Sequence, residues 1–212
     1  MKRFFTIATV VCVVLAFALP AVASKAAAKK PTPDQTIAML QEGNQRFVEG
    51  KSRHPHSDAA RLKQAGSENQ GDHAYATVIT CSDSRVPVEI IFDAGVMDIF
   101  VIRVAGNVCD VDERGSIEYG LAHVHTPVLV VLGHTQCGAV TAVTHAVHGT
   151  GHALERNIPP LVDNIEPAVR RAMAEHPDIH GDKIIPIEMS HATERLKLVD
   201  SELYDVARTF FG

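Results

Sequence analysis

Residues 75–85 read Tyr75-Ala76-Thr77-Val78-Ile79-Thr80-Cys81-Ser82-Asp83-Ser84-Arg85, an aromatic, apolar and β-branched run that ends on a cysteine and a charged tail. A second stretch has the same plan: Val128-Leu129-Val130-Val131-Leu132-Gly133 leads directly into His134-Thr135-Gln136-Cys137. A third apolar run occupies 99–104. Apolar strands of this kind, spaced by helix-length segments, point to a parallel sheet covered on both faces. The fold class read from them is α/β, a mostly parallel β-sheet with flanking helices and an N-terminal helical arm.

The helices are read outward from those strands. Thr32-Pro33-Asp34-Gln35 has the layout of a capping box with proline at the first helical position. Ile37, Leu40, Phe47 and Val48 follow at helical spacing, so 33–48 is expected to be an amphipathic helix. Further helices are expected over 57–65, 88–92, 115–125, 137–148 and 160–176, the last kinked or divided at Pro167. A last short strand is expected at 196–199.

The chain opens with Met1-Lys2-Arg3, an apolar stretch over 4–19, and Pro20-Ala21-Val22-Ala23, the layout of a secretory signal peptide. Residues 1–23 are therefore expected to be a signal, 24–31 a flexible Ala/Lys linker, and 32–212 a single domain, exported to the periplasm or secreted. Losing Lys2 and Arg3 takes the formal charge from −5 to −7. That acidity argues against nucleic acid or anionic membrane as partner.

Cysteine and histidine are the soft and borderline ligands that hold tetrahedral Zn²⁺. Cys81 lies just past the first strand, and His134 and Cys137 just past the third, all at the carboxyl edge where open α/β sheets build their sites. Three protein ligands leave a fourth position open, as catalytic zinc requires. Asp83 and Arg85 put a carboxylate and a guanidinium beside it. A Cys81–Cys137 disulfide is the competing reading for an exported chain.

The motifs Cys81-Ser82-Asp83-Ser84-Arg85 and His134-Thr135-Gln136-Cys137 resemble those of the β-class carbonic anhydrases. So do Asn44-Gln45-Arg46-Phe47, Val101-Ile102-Arg103-Val104-Ala105-Gly106-Asn107-Val108 and Gly115-Ser116-Ile117-Glu118-Tyr119-Gly120. A weaker echo follows at Leu203-Tyr204-Asp205-Val206. The resemblance implies Cys81, His134 and Cys137 as zinc ligands and Asp83–Arg85 as a catalytic dyad orienting a zinc-bound hydroxide towards CO₂. It implies bicarbonate as product and a homodimer or higher homo-oligomer as the working form. In some family members the aspartate swings onto zinc and closes the site, which would make Asp83 a fourth ligand. Gly106 and Asn107 match the strand-end segment near the substrate.

Three departures stand out. Asp72 occupies the position, nine residues before the first ligand, where the family carries a substrate-contacting glutamine; Gln70 or His73 could take its place if the loop shifts. Val104 replaces a usual asparagine, and the C-terminal part is short by a helical segment. Two alternatives to CO₂ hydration therefore stay open. One is a zinc hydrolase acting on a CO₂ analogue such as carbonyl sulfide, the other a zinc-binding relative with little catalysis. His145, His148 and His152 lie at helical spacing and read as solvated residues rather than a proton route.

Overall fold

A computed structural model of the chain describes residues 30–177. β1 (Ala76–Thr80) is buried along its whole length and lies between β2 (Ile99–Arg103) and β3 (Leu129–Leu132). Both pairings are parallel, with Val78 opposite Val101 on one side and Val130 on the other. The strand order β2-β1-β3 makes the chain reverse direction across the sheet at β1. That reversal opens a crevice beyond the carboxyl ends of β1 and β3.

Side-chain alternation along β1 divides the core into two layers. Ala76 and Val78 face Leu40 of α1 (Pro33–Val48) and Val88 of α3 (Val88–Ile91), with Val128 and Val130 beside them. Ile79 faces the other way, with Ile102, Leu129 and Val131, onto Ile117 of α4 (Val111–Ala122). A third apolar cluster lies past the strand ends. It is formed with Val140 and Val143 of α5 (Gly138–Val147), Val162 of α6 (Ile158–Asp163), and Val169 of α7 (Glu166–Glu175). Cys81 and Cys137 belong to that cluster, so the two sulfurs sit in an apolar bed.

The first helix has the bounds expected, with its capping box between Thr32 and Gln35 in place. α2 (Ala59–Ala65) begins two residues later than expected, because Asp58 caps it through the Arg61 amide. α4 starts four residues earlier, because Asp110 and Glu113 form a second capping box. The single helix expected over 160–176 is two helices. Pro167 sits in the first turn of α7, where its missing N–H costs nothing. Lys30, expected to belong to a free linker, donates through Nζ to the carbonyls of Ala74 and Val124. The signal segment, most of the linker, the 196–199 strand and the Leu203–Val206 echo lie outside the described residues. Among the described residues no helix is long and apolar enough to cross a membrane.

Candidate metal centre

Cys81 leaves the end of β1, and His134 and Cys137 lie in the turn between β3 and α5, with Cys137 as the N-cap residue of α5. One ligand atom from each of the three lies within 4.8 Å of the other two. The two sulfurs are 4.0 Å apart and the cysteines are free, so the disulfide reading fails. That spacing is close to the ~3.8 Å expected of two thiolates about 2.3 Å from one tetrahedral zinc. His134 supplies the second observation. Its Nδ1 lies 2.8 Å from the Thr135 carbonyl, which fixes the proton there and leaves Nε2 with a lone pair. Nε2 is buried and has no hydrogen-bond partner. With Nδ1 turned to a carbonyl and a buried Nε2 left to coordinate, His134 stands grouped with two sulfurs as a metal-ligating imidazole does. The donor set therefore fits Zn²⁺.

The sulfurs are tuned unequally. The Cys81 thiol is pushed down from its usual range, chiefly by its hydrogen bond with Cys137, against the opposing effect of burial. His134 and the amides of Asp83 and Gly106 add to this; the Gly106 N–H donates to Cys81 Sγ at 3.3 Å. Cys137 is pushed up by its hydrogen bond with Cys81 and by burial. Without a cation the pair therefore keeps one proton. A divalent metal held by Cys81 and Cys137 would favour both as thiolates.

Asp83 and Arg85 are brought together. The Arg85 amide donates to Asp83 Oδ1 at 3.0 Å and Arg85 Nε lies 3.3 Å from the same oxygen. The backbone contact is the largest influence holding the Asp83 carboxyl below its usual range; burial opposes it, and the charges of Arg85 and Arg103 assist. The carboxylate oxygens are not among the clustered ligand atoms. Asp83 is therefore turned to Arg85 and is not a fourth ligand in this conformation.

Gly106 reaches the centre through its amide on Cys81 Sγ. Gly106, at φ 73, passes so close that a Cβ there would lie 2.5 Å from Ile165 Cδ1. Asn107 is buried, and neither polar atom of its side chain has a partner. Asp72 does not reach the centre within one chain. It ends a 3₁₀ turn (Gln70–Asp72) before β1, and the five residues of β1, about 16 Å at strand rise, lie between it and Cys81. Gln70 shares that far end. His73 is spent there on Arg61 and Glu68.

The sequence alone did not show how the ligand turns are held. Arg103 Nε and Nη2 donate to the carbonyls of Cys81 and Asp83 at 3.1 and 2.7 Å. Arg85 Nη1 donates to those of Thr135 and Gln136 at 3.2 and 2.8 Å. Gln136, between the second and third ligands, adopts a left-handed φ of 57. An arginine at the last position of a strand beside a ligand turn is the only sequence signal for the first of these contacts.

A sequence model described as carbonic anhydrase matches residues 76–204. The chain belongs to the carbonic anhydrase family. Carbonic anhydrase 2 of Mycobacterium tuberculosis is 44% identical over 109 residues, 51% of each chain. The carbonic anhydrase of Mycolicibacterium smegmatis is 39% identical over 130 residues, 61% of each chain. The chain thus spans between about half and three-fifths of these curated relatives' length. In three dimensions it resembles the β-carbonic anhydrase CcaA, with a TM-score of 0.57 at 23% identity over 82% of this chain and 87% of that one. A tetrameric β-carbonic anhydrase of Sordaria macrospora gives 0.58 at 18% identity, over 82% and 90%. The parallel sheet with flanking helices is the β-class fold.

Proposed function

We propose that the chain is a zinc enzyme that hydrates CO₂ reversibly to bicarbonate. The observation that carries this reading is the unpartnered, buried Nε2 of His134 converging with the sulfurs of Cys81 and Cys137. Cys81, His134 and Cys137 would hold Zn²⁺, which supplies the Lewis acidity that makes hydroxide available near neutral pH. With Asp83 turned to Arg85, the three residues would leave the metal a position open to water.

Asp83 stays ionised because the Arg85 amide and guanidinium favour its charge. An ionised carboxylate only accepts hydrogen bonds, so Asp83 fixes which way an attacking oxygen presents its lone pair. Arg85 holds that carboxylate with a charge-assisted contact. The apolar residues around the sulfurs exclude bulk water from the metal's protein side.

The charged start, the apolar 4–19 stretch and Ala21-Val22-Ala23 support export to the periplasm or outside the cell. The tetrameric relative from Sordaria macrospora supports a homodimer or larger assembly. Asp83→Asn tests the mechanism. The variant is expected to keep its zinc and lose most turnover, because the amide presents a donor where the carboxylate only accepted. CO₂ hydration at the parent rate would remove Asp83 from the reaction.

A further inference from the structure

We propose that Arg103 is a positioning residue for this centre, gripping the turn that carries both Cys81 and Asp83. The inference rests on the zinc reading above and adds how the ligand turns are registered against each other. Arg103 is the last residue of β2 and pairs with Thr80, the last residue of β1. The backbone ladder continues one step past these strands: the Val104 amide donates to the Thr80 carbonyl, and the Ser82 amide to the Val104 carbonyl. Asp83 lies beyond that step.

The Arg103 guanidinium takes over at that point. Its Nε and Nη2 occupy the carbonyls on either side of Ser82, those of Cys81 and Asp83. One planar group holding two carbonyls fixes the direction of the peptide planes between them, which a single flexible ammonium cannot do. The Cys81 sulfur and the Asp83 carboxylate are borne on those same residues, so the grip sets both the first ligand and the carboxylate. Arg85, held in the turn that Arg103 fixes, then donates across to Thr135 and Gln136. The two arginines thus tie the three strand-end loops together in the order of the sheet, β2 to β1 to β3.

A cation near the site could instead act by charge alone, attracting an anion. Arg103→Lys separates the two, because it keeps the charge and loses the fork; Arg103→Met loses both. The variants are loaded with Zn²⁺ or Co²⁺. For each, the zinc loss rate to a chelator, the visible spectrum of the cobalt form, kcat and KM for CO₂ hydration, and the thermal midpoint are measured. For Arg103→Lys we expect an altered cobalt spectrum and about tenfold faster zinc loss, the usual effect of removing a group that orients a metal ligand. We also expect kcat down about tenfold with KM within about twofold, since a misdirected group affects the transition state more than ground-state binding.

A lysine variant with the parent's cobalt spectrum, zinc retention and kcat would overturn the proposal. So would a lysine variant changed only in thermal midpoint. If the methionine variant does not fold, the lysine variant carries the test alone. A parent protein that binds cobalt but does not hydrate CO₂ would defeat the catalytic reading, and the spectra and zinc loss would still decide the role of Arg103.

Discussion

Replacing Gly106 with alanine tests whether the metal centre depends on the 105–107 turn. Gly106 has φ 73 and ψ 10, a left-handed conformation that costs an L-residue about 1–2 kcal/mol. The added Cβ would lie 2.5 Å from Ile165 Cδ1 and 3.0 Å from Ala139 Cβ. Such overpacking costs about 1–3 kcal/mol, nearer the lower figure here because the Ile165 methyl is the end of a side chain that can turn. Together these predict a loss of about 2–4 kcal/mol, a large share of the roughly 5–15 kcal/mol that stabilises a domain. The same displacement moves the amide that donates to Cys81 Sγ, so zinc retention should weaken as well. Urea unfolding of reduced, zinc-free protein reads the first effect. With a slope of about 2 kcal/mol/M, the midpoint should fall by about 1–2 M. Zinc loss to a chelator reads the second. An unchanged midpoint together with parent-like zinc retention would refute the close passage of this turn beneath the sulfur.

Three further outcomes follow. Cys137→Ala and His134→Ala should each abolish stoichiometric zinc, since two remaining ligands bind weakly; full occupancy by metal analysis in either variant contradicts the assignment. Asp93 is buried, and burial alone would raise its pKa, but Arg46 and the amides of Arg53 and His54 outweigh it and bring it to about 2. Against an unfolded value of about 3.9, this depressed group stabilises the fold above about pH 4, and the contribution is lost as pH falls towards 2. Asp93→Asn should therefore flatten the acid limb of a stability–pH curve, and parallel limbs would contradict the pairing. Asp72→Gln should leave kcat/KM unchanged, because Asp72 lies beyond the far end of β1. A severalfold rise would mean that Asp72 of another copy of the chain reaches the site.

Much of the fold was legible because it rests on local signals. The Thr32–Gln35 capping box set the bounds of α1, and the apolar runs located all three described strands. The start of α4 was missed although Asp110 and Glu113 carry the same kind of capping signal, because the apolar pattern of that helix is weak. The convergence of Cys81, His134 and Cys137 was legible because each lies past a strand that must end at the same edge of a parallel sheet. Asp72 lies away from the centre of its own chain for the complementary reason. Nine residues before a ligand sounds near, yet an extended strand carries those residues to the opposite edge. The left-handed backbone at Gln136 and the grips of Arg85 and Arg103 leave no periodic trace, since each joins side chain to backbone across different loops.

The most direct measurement is a zinc titration of CO₂ hydration. Metal is stripped from the purified chain under reducing conditions, Zn²⁺ is returned in steps, and the hydration rate is followed by stopped flow alongside bound metal. The rate should rise linearly from near zero and reach its plateau at one zinc per chain. A protein that binds one zinc per chain and shows no hydration, or one that hydrates CO₂ equally well without it, would contradict the assignment of Cys81, His134 and Cys137 to a catalytic metal.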